Sequence, residues 1–371
     1  MDERKYWLGF NVVKGIGPVR LRALRHYFGD LETAWHAPEN ALLAAGLDRL
    51  SLANLLEERR SRDLNRLQDD LDAAGASALT LDDPDYPALL RELPDSPPVL
   101  YVKGTILETD EWAVAFVGTR RATQYGRNVT YDLVAPLVQA GITIVSGLAL
   151  GIDAAAHKAA LEAGGRTIAV MACGLDQVYP PAHRNLAADV VANGAMVTEF
   201  PLGTPPEGKN FPVRNRVISG LSLGVVVVEA PERSGALLTA DNAAEQGRDV
   251  FAVPGNLNLR NSVGTNQLIQ SGAKLVMDAT DILDELNLTR TTVETRTQMR
   301  EIVPENPTED LLVQHLADEP LHIDELCQLT GLPITQISST LALMELKGMV
   351  RRLEGMRYAL ARGSGEPYRL D

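Results

Sequence analysis

The sequence predicts an α/β protein: a parallel-sheet domain between an N-terminal helical domain and a small C-terminal winged helix. Three observations predict it. Residues 1 to about 78 carry helical periodicity only, broken at Gly15-Ile16-Gly17-Pro18, Gly29-Asp30 and Gly46. From about residue 112, short runs of Val, Ile, Ala and Phe alternate with helix-length segments, the pattern of strands buried on both faces and joined by crossover helices. After a polar, Thr-rich stretch with Pro304 and Pro307, residues 309–371 resume with three helical patterns and a hairpin.

The expected strands are Ala113–Val117, Ile142–Val145, Thr167–Met171, Met196–Phe200, Val225–Val228, Val250–Val253 and Lys274–Met277. Between them lie expected helices at Gly126–Gln139, Ile152–Ala163, Arg184–Ala192, Val213–Leu221, Gly235–Gln246 and Thr265–Gln270. The C-terminal helices are expected at 309–317, 322–330 and 333–347, with Val350–Leu353 and Arg357–Ala361 as the wing. The domain expectation is therefore 1–78 helical, 79–288 α/β, 289–308 linker and 309–371 winged helix. Leu79–Glu111 holds five prolines (84, 87, 94, 97 and 98) and reads as a stiff, extended connection.

A length of 371 residues exceeds one ordinary domain, and 45% hydrophobic residues exclude a disordered chain. Two cysteines, Cys173 and Cys327, make neither a disulfide framework nor a CxxC metal site, and they fit a reducing cytoplasm. The start MDERKYWLGF is not a signal peptide, and no run approaches the roughly 18 apolar residues that span a bilayer. Cytoplasmic location, no membrane, no metal and no cofactor are expected. A formal net charge of −14 excludes a histone-like positive coat but not nucleic-acid binding, which depends on local field.

Two regions concentrate positive charge. In the helical domain no acid falls between Glu3 and Asp30, where Lys14, Arg20, Arg22 and Arg25 lie. Lys14-Gly15-Ile16-Gly17-Pro18-Val19-Arg20 reads as the hairpin of a helix-hairpin-helix unit. Its glycines let the backbone approach a phosphate, and the following helix presents unpaired N–H groups. Such a hairpin gives sequence-independent contact, with Lys14, Gly15, Gly17 and Arg20 as the candidates and duplex DNA as a further partner.

In the α/β domain, ligands are expected beyond the carboxyl ends of the strands. Trp112–Tyr131 and Gly208–Val228 are both acid-free, and they bring Arg120, Lys209, Arg214 and Arg216 to that edge. Phe211 offers a flat surface for a base. Gly235 opens a helix N-terminus there, behind Ser234.

Two enzyme readings compete. Gly203–Asn210 nearly spells a phosphate-binding loop, with Glu229 ending a strand like a metal-binding acid. Pro205 and Pro206 remove the N–H donors that such a loop requires, and Asn210 stands where a Ser or Thr must ligate Mg²⁺. Asp153 and His157 share one helix face and fit either an acid–base pair or a helix-start acid beside a structural histidine. No Gly-x-Gly-x-x-Gly fingerprint for NAD or FAD occurs.

These loops resemble the DprA family, the DNA-processing protein A or Smf proteins of bacterial recombination and natural transformation. The matching segments are Val117-Gly-Thr-Arg120, Tyr125-Gly126, Ser146-Gly-Leu-Ala149, Gly151-Ile-Asp153 with His157, and Gly174-Leu-Asp176 with Tyr179-Pro180. Phe211-Pro-Val-Arg-Asn-Arg216, Ser234-Gly235, Gly247-Arg-Asp249 and Val253-Pro-Gly255 continue the match, so that it covers about 98–285. The resemblance implies an extended Rossmann-like fold, a non-enzymatic homodimer, binding of single-stranded DNA, and loading of the recombinase RecA onto it. It implies DNA contacts at Arg120, Phe211, Arg214 and Arg216, with Lys209, Asn210, Ser234 and Gly235 as further candidates. Family members often carry a basic residue directly after Tyr-Pro. Here that position is Pro181, and Arg184 is the expected replacement. The alternative is a Rossmann-like nucleotide-binding or nucleotide-cleaving enzyme on the same edge. Relatives of that kind carry Pro-Gly-Gly-x-Gly-Thr-x-x-Glu where this chain has Glu232–Thr239, without the Glu.

The C-terminal module carries ten acids against six bases, and its third helix holds only Glu345 and Lys347 as charges. A major-groove helix needs more polar reach than that. A protein contact or weak DNA contact is expected, with Arg351, Arg352 and Arg357 as the basic cluster.

Overall fold

The computed structural model describes residues 3–287, 307–316, 321–346, 350–353 and 356–360. The chain divides into two units, 1–286 and 287–371.

Among the described residues, the first unit opens with six helices: α1 (Arg4–Val12), α2 (Pro18–Phe28), α3 (Leu31–His36), α4 (Glu39–Ala44), α5 (Arg49–Ser61) and α6 (Leu64–Ala73). Asp30, Asp48 and Asp63 start α3, α5 and α6, each accepting a backbone N–H that the first turn leaves unpaired. Their apolar faces, with Trp7, Phe10, Leu24, Trp35 and Leu55, join one core with Ala78, Val99, Tyr101, Met171 and Met196 of the sheet. The helical region is thus part of the sheet domain's core.

Leu79–Glu111 does not form the expected extended connection. It carries the end of β1 (Ser77–Thr80) and all of α7 (Ala88–Arg91) and β2 (Val99–Gly104), with β1 antiparallel to β2. The prolines that suggested stiffness sit in the turns around α7 and just before β2, where no ladder hydrogen bond is lost. The boundary expected after residue 78 therefore cuts a strand.

The alternating region then delivers β3 (Ala113–Val117), α8 (Gln124–Gln139), β4 (Thr143–Ser146), α9 (Ile152–Glu162), β5 (Thr167–Val170), α10 (Arg184–Ala192) and β6 (Gly194–Thr198). It continues through α11 (Asn210–Gly220), β7 (Gly224–Val227), α12 (Gly235–Glu245), β8 (Asp249–Ala252), α13 (Val263–Gln270), β9 (Lys274–Leu275) and α14 (Ala279–Glu285). The nine strands order as β1-β2-β6-β5-β4-β3-β7-β8-β9, parallel from β6 to β9. Only β2 against β6 and β1 against β2 are antiparallel. Strand side chains alternate between two cores. Ile168, Val170, Ala195 and Val197 pack with Val217, Ile218, Ala240 and Ala243 of α11 and α12, while Ala169 and Met196 face Ala154 and Val190 of α9 and α10. From β3 the chain winds one way to β6, then crosses to β7 and winds the other way. The switch point lies between β3 and β7.

The second unit is a winged helix. It comprises α15 (Pro307–His315), β10 (Leu321–His322), α16 (Ile323–Thr330), α17 (Ile334–Leu346), β11 (Val350–Leu353) and β12 (Arg357–Leu360). The sheet order is β10-β12-β11, and Leu312, Leu326, Ile337, Leu341, Met344 and Tyr358 form its core. Most of the expected linker at 289–308 lies outside the described residues. Helix α15 begins at Pro307, inside its far end.

Candidate nucleic-acid interface

The loops after β3 and β7 bound a crevice of about 360 Å³ at the switch point, floored by Phe211, Arg214, Asn215 and Ile218 of α11. Backbone bonds fix its walls. Thr119 N–H donates to Glu229 O at 2.7 Å, and Ile152 N–H donates to Thr119 O at 3.3 Å. Gly151 has φ +87°, and a Cβ there would strike the backbone of Thr119 and Arg120.

Arg120 is exposed, and its guanidinium lies 5.2 Å from the centroid of the Phe211 ring. Tyr179 meets the same ring edge-on at 5.7 Å. Cation and aromatic edges together make a surface suited to phosphate and base at once. Ser234 accepts the Ala236 N–H as the cap of α12, and Gly235 lines the opposite wall. A Cβ at Gly235 would meet open space.

Arg214 lines the crevice but is only 5% exposed. It donates to Gly147 O at 2.7 Å and to Val170 O at 2.5 Å. A Cβ at Gly147 would collide with this guanidinium. Arg214 thus holds the loop after β4 against β5, and its guanidinium lies 5.9 Å from the centroid of the Phe211 ring. Asn210 is buried likewise, donating to Ala172 O and Pro205 O.

Arg216 points elsewhere. It pairs with Glu199 at 2.5 Å and Asp95 at 3.4 Å, outside the crevice lining. Burial pushes the Glu199 carboxyl up to about 7, with Asp95 adding to the rise and Arg216 opposing it. Lys209 is 76% exposed in its side chain and pairs with Glu207 at 2.5 Å, and Arg184 is exposed at the start of α10. The structure therefore brings Arg120, Phe211, Arg214, Ser234 and Gly235 together and leaves Lys209, Arg184 and Arg216 off the lining. Arg121 and Arg233 line the crevice as well. Arg121 lay in the first acid-free window, and Arg233 directly precedes Ser234-Gly235.

The candidate acid–base groups are buried, Asp153 held by backbone amides and His157 bonded through Nδ1 with its Nε2 left without a partner. Asp153 accepts from Gly147 N–H and Ala149 N–H at 3.2 and 3.3 Å, and burial raises its pKa. His157 is fully buried against the Thr167 hydroxyl at 2.7 Å. Burial, then His183 and Arg214, pull it down to about 3. Glu229 accepts from Thr123 N–H and Thr123 Oγ1 at the start of α8. Among the described residues no His, Cys, Asp and Glu cluster could hold a metal ion. No described helix is long and apolar enough to cross a membrane.

In the N-terminal hairpin, Lys14 and Gly17 are exposed and Gly15 has φ +95°. Arg20 bends back along the surface, donating to Gly15 O at 2.5 Å and to Ser51 Oγ at 2.8 Å and pairing with Asp48. Arg22 and Arg25 are held by Leu93 O and Asp82.

Residues 77–287 match the family model described as DNA recombination-mediator protein A. The chain belongs to this family. A DprA winged helix domain matches 297–356 as well. The chain is 37% identical to Protein Smf of Synechocystis sp., over 96% of this chain and 98% of that one. It is 39% identical to Protein Smf of Escherichia coli, over 73% and 74% of the two. Among solved structures, DNA processing protein A from Streptococcus pneumoniae superposes with TM-score 0.67 at 34% identity, covering 77% of this chain and 98% of that one. DNA processing protein A from Helicobacter pylori, described for its single-stranded DNA binding mode, gives TM-score 0.52 at 32% identity, over 57% and 95%. The recombination-mediator match spans β1 to α14, and so it contains every wall of the switch-point crevice.

Proposed function

We propose that this member of the recombination-mediator family binds single-stranded DNA in the switch-point crevice, as a non-catalytic homodimer in the cytoplasm, and loads RecA onto the bound strand. The observation that carries the reading is Arg120 over the Phe211 ring at an open crevice, with Arg121 and Arg233 on its walls. Arginine neutralises phosphate while the aromatic ring takes a base face, which is how single strands are held without sequence preference. The single-stranded DNA binding mode described for the Helicobacter pylori relative supports the choice of ligand. The acids a nucleotide-cleaving enzyme would use are spent within the domain, Asp153 on backbone amides and Glu229 on the Thr123 N–H and hydroxyl, which favours the binding role.

Arg184 and Lys209, both exposed, add positive charge for an approaching strand, with Arg214 shaping the crevice floor, Asn210 holding the start of α11 and Arg216 anchoring it. Lys14, Gly15 and Gly17 of the hairpin add a backbone contact to long strands or duplex, with Arg20 holding the hairpin's shape. The test is a titration of single strands, duplex and mononucleotides against the native chain and Arg120→Glu, followed by RecA filament growth on strands coated with single-strand-binding protein. Tight single-strand binding lost in Arg120→Glu, with filament growth accelerated by the native chain alone, is expected. Turnover of mononucleotides would overturn the reading.

A further inference from the structure

The stretch Val250–Met277 contains no acid, and it carries Arg260 and Lys274. Its first part, the loop after β8, returns to the crevice rim. Asn261 Nδ2 donates to Arg121 O at 3.2 Å, and Ala230 N–H donates to Asn261 O at 2.7 Å. Gly264 N–H then donates to Ala230 O, and Tyr125 OH donates to Pro254 O. The loop is thus fastened to both walls of the crevice. Its outer surface is Asn256, Leu257, Asn258, Leu259 and Arg260, all exposed, with Leu257 at 84%.

Among the described residues, Arg120, Arg121, Arg233 and Arg260 form no ion pair with a carboxylate, whereas Lys209 and Arg216 do. The one exposed acid beside them in sequence is Glu232. Arg121 and Arg233 line the crevice, and Arg260 stands next to Asn261, which holds Arg121. Unpaired guanidinium groups therefore run from the crevice onto this loop. The asparagine amides beside them can hydrogen-bond base edges, and the leucines offer apolar surface to a base face.

We propose that the loop 256–260 is a second subsite for single-stranded DNA, taking the nucleotides that leave the crevice past Arg121 and Arg233. The subsite rests on the single-strand reading of the crevice and extends it. A strand filling both should span more nucleotides than the crevice alone holds, within the roughly 4–16 that comparable single-strand sites cover.

The experiment is fluorescence anisotropy on the full chain with oligothymidylates of increasing length at several salt concentrations. It compares the native chain, Arg260→Ala, Leu257→Ser and Arg120→Ala. For Arg260→Ala, long oligonucleotides should bind about tenfold more weakly, with a salt slope shallower by about one, while the shortest that bind are unchanged. Leu257→Ser should weaken long oligonucleotides without altering the slope. Arg120→Ala should weaken every length. If Arg260→Ala and Leu257→Ser match the native chain at all lengths, or change only its sedimentation, the loop contacts protein and the subsite is overturned. If Arg120→Ala has no effect at any length, the crevice reading itself fails.

Discussion

Arg120 and Arg214 approach the same Phe211 ring, at 5.2 and 5.9 Å, yet only Arg120 is exposed. Arg214 is spent on the carbonyls of Gly147 and Val170. Two arginines that look alike in sequence therefore divide the work: one faces solvent at the crevice and the other builds the floor beneath it.

Arg120→Glu and Phe211→Ala should each weaken single-strand binding for all sequences alike. Loss of one stacked base costs about 1–3 kcal/mol, a factor of roughly 5 to 150 in affinity. The urea midpoint should stay near the native value, because Arg120 is exposed and Phe211 is only half-buried. Anisotropy and urea unfolding on the same preparations check this.

Arg214→Ala should act on the fold first. Removing the buried guanidinium strands the Gly147 and Val170 carbonyls, at about 1–3 kcal/mol each. Urea unfolding should show that loss, and DNA binding should fall in proportion to unfolded protein.

Glu199 gives a pH signature. Its folded pKa of about 7 exceeds the ordinary value of 4.5. Between those values the folded state keeps a proton that the unfolded chain has released, so this group's contribution to stability falls as pH rises from 4.5 to 7. His157, held near 3, works in the opposite sense, its contribution rising as pH climbs from about 3 to 6.5. Glu199→Gln should therefore be less weakened than the native chain between about pH 5 and about pH 7.5. Urea midpoints at the two pH values measure the difference.

Removing residues 1–76 should not give a soluble α/β domain. The deletion would expose Val99, Tyr101, Met171 and Met196, which share a core with the helices. Each large side chain so exposed costs about 1.5–3 kcal/mol. Aggregation, or a lowered thermal midpoint in any soluble fraction, is expected. An unchanged midpoint would show the helices to be separable.

The parallel sheet was legible because strands buried on both faces leave unbroken apolar runs. Ala113–Val117 matches β3 to the residue. Strands β1 and β2 were hidden by the prolines around them, since composition does not distinguish a stiff linker from a proline-bounded turn. The crevice was legible in part. Gly118, Gly151, Arg120 and Phe211 mark the strand-end loops and helix that enclose it, and the acid-free windows single out the same stretches. What composition could not show was direction: Arg216 turns to Glu199, Asn210 to Ala172 O, and Arg20 back to its own hairpin. Burial and partner decide those roles, and both arise from tertiary contacts far apart in sequence.

The most direct test of the central claim is the salt dependence of single-strand affinity in the native chain beside Arg120→Ala, with duplex and mononucleotides as controls. Binding should be tight and weaken steeply with salt, with single strands preferred over both controls and a slope shallower by about one in Arg120→Ala. Equal affinity for single strand and mononucleotide, or a slope that Arg120→Ala leaves unchanged, would contradict the claim.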